Sequence, residues 1–175
     1  MGVAVVKGLP GPDGNKTHAC AKHYAVHSGP EWNRHVFNAD NVSPRDLWET
    51  YLPAFKALVT EAHVKEVMCA YNRYENEPCC GSSRLLTQIL RNDWGFDGLV
   101  TSDCWAINDF YTPGAHMTEP DTVHADAKAV WSGTDLECGS SYVELPEAVR
   151  LGLITENRID QSVFRLLKAR FELGE

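Results

Sequence analysis

A chain of 175 residues, 43% of them apolar and 23% charged, has the size and composition of one folded domain, not of a disordered or fibrous protein. A formal charge of -8 excludes nucleic acid and anionic membrane as partners, because phosphate contacts need clustered Lys and Arg. No apolar run approaches the roughly 18 residues of a spanning helix, and the opening MGVAVVKGLPGPDG lacks the charged start and long apolar stretch of a signal peptide.

In chain order, Val3 to Lys7 reads as the end of a helix running into a Gly/Pro turn. Ala19 to Tyr24 is the first strand-like run, followed by a long loop from His27 to Val42. Ser43-Pro44-Arg45-Asp46 then combines a Ser N-cap, Pro at the first helical position and an acid in the first turn. The helix it opens carries Leu47, Tyr51, Phe55, Leu58 and Val59 at helical spacing. Val67 to Tyr71 is the second strand, with a loop from Asn72 to Gly81 behind it. A helix from Ser82 or Ser83 turns Leu85, Ile89 and Leu90 inward and stops before Gly95. Leu99 to Asp103 is the third strand, and its loop runs from Cys104 to Pro120. Asp121 caps a helix ending near Trp131, and Gly133 to Glu137 is a weaker fourth strand. The last helix starts near Asp160, sets Ile159, Val163, Leu166, Leu167 and Phe171 on one face, and ends on Gly174.

Strand and helix thus alternate four times, which predicts an α/β fold with a parallel sheet built from about four βα units. The long loops all follow strands, and loops at the carboxyl ends of parallel strands build active sites. Six cysteines suggest a disulfide framework or a metal, but adjacent Cys79 and Cys80 suit neither a mutual bridge nor a CxxC pair. The string HACAKHYAVH resembles a ligand cluster, yet on a strand His18 and Cys20 face away from His23 and His27. The expectation is therefore buried free thiols, no metal and no cofactor.

The residues at the strand ends are Lys22-His23, Tyr71-Asn72, Asp103 and Asp135 to Glu137. Each has a plain reading: a surface pair, a turn, or in the case of Asp103 the cap of the next helix. Together, a cation, an imidazole, a phenol and carboxylates on one face make a catalytic inventory. There is no GxGxxG, phosphate-binding GKS/T or GxSxG, so nucleotide binding and serine hydrolysis have no support. A carboxylate nucleophile among hydroxyl-binding donors suits a sugar, since retaining glycosidases attack with one carboxylate and protonate with a second about 5–5.5 Å away.

At these residues the chain resembles family 3 glycoside hydrolases, over essentially its whole length. AKHYAVHSGPEW is similar to that family's Lys-His sugar-binding segment. EVMCAYNRYENEPCCGSSRLLTQILRNDWGFDGLVTSDC is similar to its run from the Tyr-Asn strand to the nucleophile strand. SGTDLECG and GLITENRIDQSVFRLLKARFELG resemble the end of its barrel domain. The resemblance implies that Asp103 is the nucleophile, that Lys22 and His23 bind sugar hydroxyls, and that Tyr71 lies beside the nucleophile. Many relatives place Trp directly after the nucleophile. This chain has Cys104 there and then Trp105, so Trp105 is kept as a substrate-binding candidate but is not expected to play the usual stacking role. The SDC and CAYN strings look closer to the xylosidase and arabinofuranosidase branch than to typical glucosidases.

A full (β/α)8 TIM-type barrel takes about 250 residues, so residues 1–175 are expected to form a single segment, the second half of such a barrel domain. The resemblance puts the acid/base in a following α/β sandwich or an inserted loop. Glu137 and Glu75 are the nearest carboxylates to stand in for it, and neither aligns with it. Two raw sheet edges predict homodimerisation or poor solubility. The expected function is hydrolysis of terminal β-D-xylosyl or β-D-glucosyl residues on a small oligosaccharide or aryl glycoside, with little turnover from this chain alone. Its rivals are a non-catalytic sugar-binding module and a metal- or thiol-dependent enzyme centred on Cys104. The compartment is open, with a periplasmic or secreted parent enzyme fitting the resemblance.

Overall fold

A computed structural model describes residues 1–12, 14 and 16–175. The central parallel strands are short: the last of them is buried on both faces, while the first two alternate buried with exposed or half-buried residues. They are β1 (Cys20–Tyr24), β3 (Glu66–Cys69) and β6 (Leu99–Ser102), in the order β1-β3-β6. Register runs Ala21 to Val67 and Val67 to Val100, and the expected fourth strand survives as a single parallel bridge from Thr101 to Leu136. Parallel strands lying side by side in sequence order, each pair joined through helical segments, is the arrangement of a barrel wall rather than of a doubly wound sheet. The fold is α/β with a partial barrel, as expected. Tyr24, Leu47, Leu52, Leu85, Leu86, Leu90, Val100, Ile107 and Phe110 fill its core with at most 1% of their surface exposed.

Local chemistry sets the helices. Helix α1 (Gly2–Gly8) is as expected, whereas the turn after it includes Asp13, outside the described residues. The Ser43 hydroxyl accepts from the Asp46 N–H at 3.1 Å and starts α2 (Pro44–Asp46). A π-type turn, Leu47–Tyr51, follows, and Pro53 opens α3 (Pro53–Thr60) because its missing N–H costs nothing at a first helical position. The helix Arg84–Asp93 buries Leu85, Leu86, Ile89 and Leu90. Asp121 caps α4 (Thr122–Ser132) through the His124 N–H at 2.9 Å. Helix α5 spans Leu145–Arg150, and α6 spans Glu156–Glu172.

Helix α6 departs from expectation twice. It starts at Glu156, capped by Thr155 instead of near Asp160. Its expected inward face is largely outward: Val163, Leu167 and Phe171 are exposed, Phe171 by 72%, while Ser162 is its one buried residue. The reason is polar. Helix α6 passes beneath the strand starts and meets charged residues there: Lys168 lies 3.2 Å from Asp97 and Glu172 3.1 Å from Lys65.

A second, three-stranded sheet was not foreseen. β2 (Asn38–Ala39) pairs parallel with β4 (Arg73–Tyr74), which pairs antiparallel with β5 (Glu77–Pro78). Glu75 and Asn76 turn the hairpin with φ of 52° and 68°, the left-handed pair that a two-residue loop demands. This sheet joins the loops after β1 and β3.

The cysteine expectation is corrected. Cys69 is bonded to Cys80 and Cys104 to Cys138, leaving Cys79 buried and Cys20 exposed as thiols. Cys79 and Cys80 do not bridge each other; the chain turn Cys79–Gly81 aims Cys80 at the end of β3.

Candidate active site

The ends of three parallel strands converge. Asp103 follows β6 directly, and its N–H donates to the Cys69 carbonyl at 3.2 Å, carrying the ladder one residue past the strand. Its two carboxylate oxygens are then treated differently. Oδ1 accepts from the Cys104 N–H at 2.8 Å, and Oδ2 lies 3.2 Å from His23 Nε2, at the end of β1. The Asp103 side chain keeps 13% of its surface exposed, so a carboxylate oriented by its backbone and by an imidazole still opens outward.

Tyr71 completes this group from the end of β3. Its hydroxyl donates to the Cys104 carbonyl at 2.6 Å, and burial, followed by the charge of Asp103, pushes the phenol up to about 12. It therefore stays a neutral donor at any working pH. Burial lowers the pKa of His23, with Asp103 opposing and Lys22, His27 and Arg34 adding to the drop. A carboxylate only accepts, so a neutral His23 carries its proton on Nε2. Lys22 is exposed and enters no ion pair among the described residues, and its charge is felt at His23.

The structure thus brings Asp103, His23 and Tyr71 together, with Lys22 adjoining. Trp105 stands apart: it is 54% exposed, at φ 66°, with its N–H donating to the Cys138 carbonyl at 2.7 Å. Asp135, expected with the strand-end group, turns the other way. Its buried carboxylate takes the Val100 N–H, Arg91, Arg165 and the Ser162 hydroxyl at 2.6–3.0 Å. Cations beneath the strand starts decide its direction. Of the two carboxylates named as stand-ins, Glu75 pairs with Arg84 and Tyr74, and Glu137 is buried with Oε2 accepting from the Ser141 N–H at 3.0 Å. Neither bonds to Asp103 or His23. The HACAKHYAVH residues also separate: His18 lies near Glu66 and Glu172, while His27 bonds Asn72. Among the described residues there is no group of three or more ligating side chains able to hold a metal.

Two features escaped the sequence. The Cys104–Cys138 disulfide ties the turn after Asp103 to the loop after Leu136 across 34 residues. Replacing both cysteines by Ala is expected to remove about 3–4 kcal/mol of stability, the loop-closure entropy of a ring that size; urea unfolding of the variant checks it. The other is an acid pocket under the same loop. Asp126 is fully buried, and burial, opposed by the Ser141 hydroxyl and reinforced by the charges of Glu137 and Glu144, pushes its carboxyl up to about 7. A raised carboxyl binds its proton more tightly folded than unfolded, so the stability it confers is full in acid and is lost as pH climbs from about 4 to about 7. Asp126→Asn escapes that loss. It is expected to be more stable than the parent by on the order of 2 kcal/mol at pH 8, with the gap closing near pH 4, as read by urea midpoints across that range.

The chain matches the family model described as "Glycosyl hydrolase family 3 N terminal domain" over residues 1–169. It is 59% identical to a xylan 1,4-beta-xylosidase of Xylanibacter ruminicola over 180 residues, all of this chain and 21% of that protein. It is 37% identical to a probable beta-D-xylosidase 7 of Arabidopsis thaliana, over 98% of this chain and 24% of that one. Among solved structures, a GH3 exo-beta-xylosidase (XlnD) in complex with a xylobiose aziridine probe superposes with a TM-score of 0.88 at 29% identity, over 99% of this chain and 23% of its own. A beta-glucosidase from Listeria innocua in complex with isofagomine superposes with a TM-score of 0.86 at 30% identity, over 99% of this chain and 25% of its own. The chain therefore spans between a fifth and a quarter of the length of these relatives.

Proposed function

Because this chain belongs to glycosyl hydrolase family 3, we propose that it carries the nucleophile half of a retaining β-glycosidase barrel. Its substrates are terminal non-reducing β-D-xylosyl residues, with β-D-glucosyl residues as the neighbouring choice. The observation that carries this reading is Asp103: a carboxylate at a strand end, one oxygen tied to backbone and the other turned to His23 and solvent. Asp103 Oδ2 attacks the anomeric carbon as the glycosidic C–O bond breaks, giving a glycosyl ester on the protein. Water then attacks that carbon, giving its proton back to the carboxylate that protonated the leaving group, releases the sugar with its configuration retained, and frees the Asp103 carboxylate. Lys22 and His23 bind sugar hydroxyls. Tyr71, held neutral, donates beside the nucleophile without competing for the role. Trp105 contacts substrate at the rim.

The proton for the leaving oxygen comes from a second carboxylic acid outside residues 1–175, in the remainder of a longer polypeptide. That polypeptide also supplies the strands that cover the open sheet edges at β1 and Leu136; a homodimer on those edges is the alternative, and size-exclusion chromatography separates the two. The xyloside preference follows relatives named as xylosidases, one of Xylanibacter ruminicola and a probable one of Arabidopsis thaliana. The test is incubation with 2-deoxy-2-fluoro-β-D-xylosyl fluoride. Fluoride leaves without protonation, so the chain needs no acid partner to form the ester. Mass spectrometry is expected to find the sugar on the peptide containing Asp103. Saturable xylose or xylobiose binding with no label would instead favour a sugar-binding module.

A further inference from the structure

Three residues outside the site just described converge on Tyr71 from two separate loops. The loop after β1 supplies Arg34 and His35, and the loop after β6 supplies Asp109. His35 Nδ1 lies 2.8 Å from Asp109 Oδ2, and Arg34 Nε lies 3.1 Å from His35 Nε2. A guanidinium N–H only donates, so Nε2 of His35 must accept, and its proton therefore sits on Nδ1 and is given to Asp109. One tautomer satisfies both ends of the chain. Asp109 is 8% exposed, too buried for an incidental surface pair.

The far end of this chain is Tyr71. The Arg34 guanidinium lies over the Tyr71 ring at 4.7 Å from its centroid, and the His35 ring meets the same ring edge-on at 4.5 Å. His116, also from the loop after β6, holds the Tyr71 carbonyl at 2.7 Å. The Tyr71 hydroxyl is thereby pinned against the Cys104 carbonyl, one residue past Asp103. A tyrosine with only its ring packed could swing about its side-chain torsions; a stacked cation held by the Glu31 carboxylate on one side, and on the other by His35, itself fixed by the buried Asp109, removes that freedom.

We propose that Asp109, His35 and Arg34 form a positioning relay that fixes Tyr71 beside Asp103. Two loops distant in sequence thus become one wall of the sugar subsite. None of the three is a catalytic residue, since each acts through Tyr71. The inference rests on the nucleophile reading of Asp103 for its kinetic consequence, though not for its geometry.

The kinetic test is the labelling rate with 2-deoxy-2-fluoro-β-D-xylosyl fluoride in the parent chain, Arg34→Ala, Arg34→Lys, Tyr71→Phe and the Arg34→Ala/Tyr71→Phe pair. Arg34→Ala is expected to slow labelling about tenfold, the effect of one misplaced hydrogen bond in a transition state. Arg34→Lys is expected to restore little, because an ammonium cannot both stack on Tyr71 and donate in plane to His35. The pair is expected to lose clearly less than the sum of the two single losses, since the relay acts through the hydroxyl, and only the smaller effect of the Arg34 charge at His23 adds to the loss of Tyr71→Phe. Equal rates for Arg34→Ala and the parent, or strictly additive losses in the pair, overturn the relay. If the parent chain takes no label, the nucleophile reading fails and the relay is judged by NMR of the imidazole nitrogens. Protonation of His35 on Nδ1, with the Tyr71 ring signals shifting in Arg34→Ala, supports it. Protonation on Nε2, or unshifted Tyr71 signals, overturns it.

Discussion

Asp103→Asn is expected to abolish covalent labelling by the 2-fluoro xyloside and, in a polypeptide containing the acid partner, to lower kcat by roughly four orders of magnitude or more. The substitution keeps the size of the side chain and its bond from the Cys104 N–H, since the amide oxygen still accepts there. What it removes is the anionic oxygen now 3.2 Å from His23 Nε2. That oxygen is the one free to form the bond to the anomeric carbon, and an amide is a far weaker nucleophile. Folding is left intact because Asp103 is not a buried structural anchor, which circular dichroism of the variant checks. Added azide or formate is expected to recover part of the turnover with an aryl xyloside, giving a product of inverted configuration, because a small anion then attacks from the face Asp103 occupied. Label recovered on Glu137, or undiminished in the variant, would sink the assignment.

The largest stability loss is expected at a carboxylate that has no part in the chemistry. Asp135 is wholly buried and neutralises two guanidiniums that are themselves mostly buried, Arg91 and Arg165. Burial already lowers Arg91 to about 10, with Asp135 the main force opposing the fall. Asp135→Ala leaves both cations without a counter-charge and the Val100 N–H without its acceptor. The expected loss is about 3–5 kcal/mol, the range for breaking a buried ion pair on one side. Asp135→Asn keeps an acceptor and is expected to fall between the parent and Asp135→Ala. Urea unfolding of the three chains measures the order. A loss below 1 kcal/mol for Asp135→Ala would mean that α6 is not held to the strand starts by this carboxylate.

These two aspartates divide what a sequence can say from what it cannot. Asp103 was legible because its placement is local. An apolar run long enough for one buried strand ends at Ser102, and the next side chain must emerge on the carboxyl-end face with its neighbours from β1 and β3. The caps at Ser43 and Asp121 were legible for the same reason, since each bond closes within three residues. Asp135 lies in an equally short segment, yet its direction depends on Arg91 and Arg165, which stand 44 and 30 residues away. Periodicity predicted one apolar face for α6, but which face turns inward depended on charges at the starts of three strands. The disulfides and the contact of Asp109 with His35, across 74 residues, likewise exist because the parallel sheet brings the ends of its loops together. The sequence by itself determined the three central strands, the caps at Ser43 and Asp121, the family and the strand end that presents Asp103. Only the tertiary structure decided which buried charges meet, because Coulomb energy and hydrogen bonding act over a few ångströms of space, wherever the chain happens to pass.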